Sequence, residues 1–525
     1  MHVPSQILLL GATTVNASVV KPRGTSTIPD YFQTTYGPFA GPTEAGSAPF
    51  LAQTNLAPFG EHSYVPNTPV VTDVPIIGQT DGAEIFKYMG NLSYVWGELT
   101  GPFSTISTPP GTNITQMHMV HRHGARYPTA SASVATLPDL IAELLGNGTR
   151  FTGNLAFLNS WEYQLGKEEL TALGRQQLFD SGVLNWFNYG RLYDPSSPLI
   201  ARTTTQVRML QSAENFLNGF FGPNWTKNVT LEVLIEQTGF KNPLAGDKAC
   251  TNNNNNRSAA GEWASTQWQE KYLKRATDRF RQSMTGNPNW TIADTYNAQT
   301  MCPYETDEWL GFEYSLDLSY YGGNGFASPT GRAVGVGYVE ELIARLQHQY
   351  PHPDEGFAAI NETLDTNPTT FPLNQNLYLD FSHDTTIFSM LTALGLTQFG
   401  EFLPTSSALP NRQLIVSHIV PFAGRFNIEV IKAPRPVHGK RSEDPQVSAY
   451  ESKGGETTYV HMLMNQRTIP LGRSISECGV RDDGWCELQT FIKAQKENIV
   501  KAKYDESCFG NYSIPAYGDI TTGAI

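Results

Sequence analysis

An imidazole between two guanidinium groups is the part of this sequence best equipped for chemistry. The residues are consecutive, and a stretch that predicts a strand, 114–120, leads to them: Arg122-His123-Gly124-Ala125-Arg126-Tyr127-Pro128. An imidazole can act as a covalent nucleophile, and fixed cations stabilise the anionic oxygens around a phosphorus atom. The pattern therefore favours attack by His123 on a phosphoryl group held by Arg122 and Arg126.

A second strand followed by a helix supplies another cation. Residues 198–202 predict a strand that ends at Arg202, and apolar residues at helical spacing predict a helix over 204–220. Arg202 is the expected phosphate ligand, because a residue at a strand end can face a ligand. Arg208, in the first turn of the helix, is a competing candidate for the same role, and Arg202 would then be structural.

A third strand and helix carry the remaining groups. Residues 377–382 predict a strand that is followed by His383 and Asp384, and then by a helix ending near Gly395 with Thr385 or Thr386 as its N-cap. Strands that alternate with helices predict an α/β sheet, in which ligands bind beyond the carboxyl ends of the strands. We therefore expect the three strand ends to meet, although Asp384 could serve only as a favourable charge at a helix start.

These residue types match the needs of phosphate ester cleavage. A nucleophile must attack phosphorus while an acid protonates the departing oxygen. Arginine suits the oxygens because it stays charged and binds them in a fork. Gly124 is expected to let phosphate approach the backbone, since it has no side chain. His121, two residues before His123, is expected to be structural.

Length and charge restrict the class of protein. The chain has 525 residues, a hydrophobic content of 40% and a formal net charge of −13. Such a length predicts one large domain with an insertion, or two domains. The negative charge argues against nucleic-acid binding, which needs a positive field.

Features of the secretory route recur along the chain. Residues 1–17 resemble a signal peptide, with a short apolar run and small residues before position 18. No later segment is long and apolar enough for a membrane helix. We therefore predict a protein that is secreted, extracellular or held in a cell wall, and glycosylated at the sequons Asn91, Asn113, Asn147, Asn224, Asn228, Asn256, Asn289, Asn361 and Asn511.

The cysteines indicate disulfides and no metal centre. None of the five forms a Cys-X-X-Cys pair, so structural zinc is not expected. Two disulfides and one thiol are expected in a secreted chain. Cys478 and Cys486 are close enough in sequence to close a short loop, while Cys250, Cys302 and Cys508 leave the second pairing open.

Changes in residue composition along the chain predict its domain organisation. Residues 18–75 are rich in Pro, Gly and Thr and predict an extended arm. Two segments without clear strands predict a helical subdomain over the mouth of the site, 131–164 and 223–319. The α/β core is then expected to comprise 76–130, 165–222 and 320–525.

The seven-residue run resembles the Arg-His-Gly-X-Arg-X-Pro signature of the histidine acid phosphatases, and Ser382-His383-Asp384 resembles the family's downstream His-Asp element. The similarity extends over about 115–510 and is strongest to the fungal branch of acid phosphatases and phytases. It implies a phosphoglycerate-mutase-like α/β core with an inserted, smaller helical domain. It implies no metal and no organic cofactor.

The resemblance also implies a role for each residue. His123 would form a phosphohistidine, and Asp384 would protonate the leaving oxygen and then help to activate water. The phosphoryl oxygens would be bound by Arg122, Arg126, Arg202 and His383. The disulfide pairings carried over from the family are Cys478–Cys486 and Cys250–Cys508.

The substrate expectation is a small phosphate monoester, with broad specificity. Phytases of the family place lysines soon after the signature, whereas residues 130–135 here contain no cation. Cations could come instead from Lys271, Lys274 or Arg275, so a phytase acting on myo-inositol hexakisphosphate is the alternative. Remote alternatives are a phosphoryl mutase, an inactive binding relative, and a metal-dependent hydrolase that uses His121 with His123.

Overall fold

The computed structural model describes residues 85–95, 108–129, 132–163, 165–197, 199–254, 259–352, 357–442, 444 and 447–525. The expected signal peptide 1–17 and arm 18–75 lie outside the described residues.

One sheet of eight strands organises the α/β core. Along it the strands run in the order β3-β2-β4-β1-β5-β6-β7, and β8 pairs with β6. The pairs β1–β4, β2–β4 and β2–β3 are parallel, while β5 to β8 join in antiparallel fashion. The strands are β1 Asn113–Arg122, β2 Leu199–Thr204, β3 Val229–Leu234, β4 Leu377–Ser382, β5 Arg425–Ala433, β6 Thr457–Met464, β7 Arg467–Ile469 and β8 Cys486–Glu487.

The described α-helices are α1 Leu137–Gly146, α2 Ala172–Tyr189, α3 Val207–Phe221, α4 Thr251–Asn254, α5 Ala260–Tyr272, α6 Lys274–Gln282, α7 Ile292–Asn297, α8 Thr306–Gly323, α9 Gly331–Gln347, α10 Glu362–Asp365, α11 Asp384–Ala393, α12 Val416–Ile419, α13 Leu488–Lys501 and α14 Tyr504–Phe509. Among the described residues, no helix is both long enough and apolar enough to span a lipid bilayer.

The three predicted strands and the helices after them are present. The central strand β4 is buried along its whole length, as expected for a parallel strand covered on both faces. Met117 and Met119 of β1 pack with α2 and α3 on one face, whereas Val120 packs in the cluster that contains α9 and α11. The alternation of β1 therefore fixes which face each helix covers.

A second hydrophobic cluster lies apart from the sheet. It is built mainly by 137–158 and 273–312, and Trp290, Tyr304 and Trp309 are fully buried in it. We propose that this cluster is the core of the inserted helical subdomain. Helix α8 joins it to the α/β core, because Phe312 belongs to the second cluster and Leu318 to the first.

The expectation that 223–319 contains no strand was wrong. Strand β3 lies in this range and pairs in parallel with β2 over its whole length. It is the edge strand of the sheet, and only its first and last residues are buried. It therefore lacks the continuous burial that distinguishes β4.

Both expected disulfides are formed. Cys250 is bonded to Cys508, which ties the segment before α4 to α14, and Cys478 is bonded to Cys486. Cys302 is a buried free thiol.

Candidate active site

His123 lies immediately after β1 and is 1% exposed. Its Nδ1 is 2.9 Å from the carbonyl oxygen of Gly124. Because a carbonyl can only accept, Nδ1 carries the proton and Nε2 keeps a lone pair for attack. The ring stands edge-on to His383, with 5.9 Å between the ring centroids.

Gly124 is required for helix packing, which differs from its expected role in admitting phosphate. A Cβ at this position would lie 2.2 Å from the carbonyl oxygen of Gly174, in the first turn of α2. Thr171 caps that helix by accepting from the Gly174 amide at 3.0 Å, and its hydroxyl donates to the Ala125 carbonyl. The signature loop and the start of α2 therefore form one closely packed unit.

Arg122 and Asp384 form the central charged pair of the site. Nη2 of Arg122 lies 2.6 Å from Oδ2 of Asp384, and Nη1 donates to the carbonyl oxygens of Val420, at 2.8 Å, and of Asn91. The guanidinium carbon lies 4.5 Å from the ring centroid of Phe422. These contacts hold the Arg122 side chain at the carboxyl end of β1.

Asp384 is the first residue of α11, and His383 is its N-cap. The N-cap expected at Thr385 or Thr386 was therefore misplaced, because the helix begins two or three residues earlier than these choices require. Oδ1 of Asp384 accepts from the Thr385 amide at 2.9 Å. Nε2 of His383 donates to Oε1 of Glu236 at 2.7 Å, just beyond the end of β3.

Arg202 does not lie with His123, Arg122 and Asp384, and the prediction that it binds phosphate was wrong. Its Nε donates to Asp380 at 2.7 Å, and Nη1 and Nη2 donate to Glu341 at 2.8 and 2.6 Å. Strand β2 continues to Thr204, so Arg202 lies inside the strand directly opposite Asp380 of β4. The side chain is a buried structural ion-pair partner.

Arg208, the competing candidate, lies in the site. It is the second residue of α3, and its Nη1 pairs with Glu168 at 2.7 Å. Burial and the charge of Arg126 lower the pKa of Arg208, whereas Glu236 and Asp384 oppose this shift. Arg208 therefore shares one electrostatic environment with Arg126 and Asp384.

Three buried Nε–H groups in the site have no acceptor among the described residues. They belong to Arg122, Arg126 and Arg208. Buried donors are nearly always matched by protein or by water, so three unmatched donors gathered in one site are available to the acceptors of a ligand. The tetrahedral oxygens of a phosphoryl group suit such donors.

Electrostatics keep the imidazole of His123 neutral and the carboxyl of Asp384 charged. Burial, with the positive charges of Arg122 and Arg126, holds the pKa of His123 well below its ordinary value. Although burial raises the pKa of Asp384, the charges of Arg122 and Arg126 and the hydrogen bond from Asn91 together lower it by more, so the net pKa is lowered. A neutral imidazole is the nucleophilic form, and it persists in acid here.

Asn91 is a site residue that the sequence did not reveal, since it was assigned to glycosylation. Its Nδ2 donates to Oδ2 of Asp384 at 2.9 Å, and its carbonyl accepts from Arg122. A glycan on this nitrogen would occupy the site, so the structure contradicts glycosylation at Asn91. The hydrogen bond joins two residues that are 293 positions apart, so no local sequence pattern predicts it.

A sequence profile described as the histidine phosphatase superfamily (branch 2) matches residues 113–465. The chain belongs to this superfamily. Phytase A of Emericella nidulans is 30% identical over 464 residues, which cover 81% of this chain and 93% of that protein. Phytase A of Aspergillus oryzae is 30% identical over 448 residues, covering 78% and 89%. Membership of the superfamily and similarity to these relatives indicate that this histidine phosphatase is a phosphoric monoester hydrolase.

Solved structures confirm the fold of the histidine phosphatase. The phytase from D. castellii superposes with a TM-score of 0.63 at 20% identity, covering 86% of this chain and 96% of that one. A multiple inositol polyphosphate phosphatase from Bifidobacterium longum gives a TM-score of 0.53 at 17% identity, covering 77% and 96%.

His121 has the structural role that was expected for it in this histidine phosphatase. Its Nε2 is 2.8 Å from the Ser181 hydroxyl, and its Nδ1 is 2.7 Å from the Arg122 carbonyl. Both ring nitrogens are thus engaged by the protein, so His121 offers no free nitrogen to a metal. The metal-dependent alternative loses the ligand on which it depended.

Proposed function

We propose that this enzyme is a secreted acid phosphatase that hydrolyses a broad range of phosphate monoesters through a phosphohistidine. The observation that carries the proposal is the set of three unmatched guanidinium donors around a neutral, buried imidazole. The residues proposed to act are His123 and Asp384 in catalysis, and Arg122, Arg126, Arg208 and His383 in phosphate binding.

The first step transfers the phosphoryl group to the enzyme. Nε2 of His123 attacks phosphorus, the bond from phosphorus to the ester oxygen breaks, and Asp384 gives that oxygen a proton. In the second step water attacks the phosphohistidine and loses a proton to the Asp384 carboxylate. Phosphate leaves, and the neutral imidazole returns.

Asp384 must be protonated to act as the acid, although the surrounding groups lower its pKa. A bound phosphoryl group brings negative charge close to the carboxylate and competes for Arg122. Both effects favour the protonated carboxyl. Substrate binding therefore favours the protonated form of Asp384 that acts as the general acid, most readily in acidic solution.

Glu236 holds His383 beside the phosphoryl site. Although burial raises the pKa of Glu236, the hydrogen bond from His383 lowers it to about 2. The carboxylate therefore stays charged in acid and keeps its hold on Nε2. Gln206 donates to the other oxygen of Glu236 at 2.5 Å, which fixes the carboxylate plane.

The charges near the site favour broad specificity over a preference for polyanions. Residues 130–135 contain no Lys or Arg, and Glu168, 41% exposed at its side chain, pairs with Arg208. Two of the cations suggested in the helical part are otherwise engaged. Lys271 donates to the Thr405 carbonyl, and Arg275 pairs with Glu305 and Asp307.

A phytase is the second candidate, and the comparisons favour it. The relatives that cover about four-fifths of this chain are phytases by name. A phytase would need further cations for the phosphates that are not being cleaved. Lys274, at the start of α6, remains a candidate for such a role.

Kinetics on three esters decide between the two candidates. We expect kcat/KM values within about tenfold for phytate, a sugar phosphate and an aryl phosphate across the acid range, which corresponds to about 1.4 kcal/mol in transition-state binding. A preference for phytate of about a hundredfold or more would establish the second candidate. Release of free phosphate from each ester separates both from a mutase or an inactive relative.

The secretory part of the proposal rests on two structural features. The structure contains two disulfides, which are rare in reducing compartments. Several sequons are exposed, namely Asn113, Asn147, Asn224, Asn289 and Asn511, while Asn228 and Asn361 are half-buried and Asn256 lies outside the described residues. Detection of the enzyme, glycosylated, in the medium of its native host tests this part.

A further inference from the structure

Helix α2 exposes an aromatic surface that takes no part in the active site. Phe179, Trp186 and Phe187 are 40%, 42% and 81% exposed. Their spacing of seven and eight residues places them on one helical face, over a length of about 12 Å. Exposed apolar surfaces of this kind mark interaction sites.

The aromatic surface continues onto the end of α3. The ring of Trp186 packs edge-on against Phe221, with 6.0 Å between centroids, and Tyr193 packs against the same ring at 4.8 Å. Phe221 is the last residue of α3 and is half-buried. We call Phe179, Trp186, Phe187 and Phe221 the aromatic surface.

A sequon follows this surface directly. Gly222 ends α3 with a φ of +79°, and the Trp225 amide donates to the Gly222 carbonyl at 3.1 Å, which closes a turn. Asn224 stands in that turn, exposed, and its side chain makes no capping bond to the next helical turn. Asn224 is the third residue after Phe221, so the two α-carbons lie within about 11 Å.

We propose that an N-linked glycan on Asn224 folds back onto the aromatic surface. The axial C–H groups of a pyranose ring form an apolar face that packs on aromatic rings, while its hydroxyls stay in water. Packing there removes exposed apolar area from water, which stabilises the fold. The occupant of the surface is thus a group attached to the enzyme itself. The inference depends on the secretory route proposed above.

The neighbouring sequon is less suited to this role. Asn228 is half-buried, and its Oδ1 accepts from the Tyr193 hydroxyl at 3.2 Å. Its carbonyl also accepts from the Leu199 amide at the start of β2. Asn224 is exposed instead, its side chain makes no hydrogen bond to any other described residue, and only its backbone carbonyl accepts, from the Lys227 amide at 3.0 Å.

The test compares Asn224→Gln with Asn147→Gln in a host that glycosylates. Asn147 is exposed at the end of α1, in another part of the molecule, and is the matched control. We expect glycopeptide mass spectrometry to find Asn224 occupied in the wild type. We expect Asn224→Gln to lower the unfolding midpoint by about 2 °C more than Asn147→Gln, with unchanged kcat/KM on an aryl phosphate.

A double-mutant cycle separates glycan packing from a local effect of the substitution. In a background with Trp186→Ser and Phe187→Ser, the additional effect of Asn224→Gln should vanish. If that background folds poorly, trimming the glycans of the native wild type with an endoglycosidase gives the second measurement. Trimming should increase the binding of a hydrophobic dye in the wild type but not in Asn224→Gln.

Three results would overturn the inference. They are an unoccupied Asn224, equal midpoints for Asn224→Gln and Asn147→Gln, or an effect of Asn224→Gln that persists without the two aromatic rings. An unoccupied Asn224 with glycans at other sequons leaves the secretory proposal intact. A protein with no glycan at all would contradict both.

Discussion

Two arginines six residues apart differ in whether the protein already uses their donors. Every nitrogen of the Arg202 guanidinium donates to Asp380 or Glu341, so none is left for a substrate. Arg208 keeps a buried Nε–H without an acceptor among the described residues. The state of the donors, rather than the charge, is why we propose Arg208 and not Arg202 as the phosphate ligand.

Replacement of these two arginines should give opposite phenotypes. Arg208→Ala is expected to lower kcat/KM by about a hundredfold or more, because it removes a cation from the developing charge, with little loss of stability. Arg202→Leu should destabilise the fold by about 3–5 kcal/mol, since it leaves two buried carboxylates short of a partner. Steady-state kinetics and urea unfolding of both variants check this, and a catalytic defect in folded Arg202→Leu that equals that of Arg208→Ala would contradict it.

We propose that Asn91 positions the general acid Asp384 without reacting itself. Its amide donates to the same Asp384 oxygen that Arg122 contacts, and this hydrogen bond favours the charged carboxylate. Removing it should raise the pKa of Asp384 and keep the acid protonated to higher pH.

Asn91→Leu is therefore expected to shift the alkaline limb of the kcat profile upward and to lower kcat at its optimum through poorer positioning. The profile is measured with an aryl phosphate across the acid and neutral range. Asn113→Gln, an exposed asparagine at the start of β1, is the control. A profile that only scales down, without a shift of the limb, would show that Asn91 is merely structural.

At the scale of elements, the sequence predicted the scaffold better than the ends of its parts. The sequence predicted β1, β2 and β4, and their alternation with helices predicted an α/β sheet, in which these strands pair in parallel. The end of β2 was placed at Arg202, two residues early, and this error alone put the wrong arginine in the site. The last two residues of β2, Thr203 and Thr204, lie within a polar segment, so local composition does not predict a strand there. They belong to the strand because they pair with β3.

The packing of the signature loop on α2 was also beyond sequence reasoning. Gly124 and Gly174 lie 50 residues apart in sequence, so their close approach becomes visible only in the fold. A Cβ at Gly174 would lie 2.0 Å from the Ala125 carbonyl oxygen. The loop would have to move, and the phosphate ligands with it.

Gly174→Ala is accordingly expected to lower kcat/KM by about tenfold or more and to destabilise the fold by about 1–3 kcal/mol. Gly146→Ala is the matched control, because a Cβ there meets no atom within 4 Å and alanine favours the helix. Unaltered kinetics and unfolding in Gly174→Ala would refute the proposed rigid unit.

At the scale of the whole molecule, buried carboxyls favour stability in acid. Burial raises the pKa of Glu340 and of Asp365 to about 8. Each carboxyl stays protonated in the fold while it ionises near pH 4 in an unfolded chain. The stability that they contribute is complete below about pH 4 and is lost as pH rises through about 8.

Buried histidines act in the opposite direction. Burial lowers the pKa of His121 to about 3 and that of His118 well below its ordinary value. Their contribution is complete above about pH 6.5 and is lost as pH falls towards about 3.

The two opposing effects predict a stability maximum between about pH 4 and pH 6.5. Thermal unfolding midpoints measured against pH check this, and Asp365→Asn should make the decline above the maximum shallower. Midpoints that rise continuously into alkaline solution would contradict the role given to the buried carboxyls.

In the proposed mechanism, His123 carries the phosphoryl group between the two steps. The most direct measurement is rapid quench of the enzyme during turnover of an aryl phosphate, followed by mass spectrometry of its peptides under conditions that preserve phosphohistidine. Asp384→Asn should accumulate the intermediate, because the aryl group departs without much help while water is no longer activated. We predict phosphate on His123 in this variant and none when His123→Ala is added; phosphate on another residue, or turnover without any phosphoenzyme, would contradict the account.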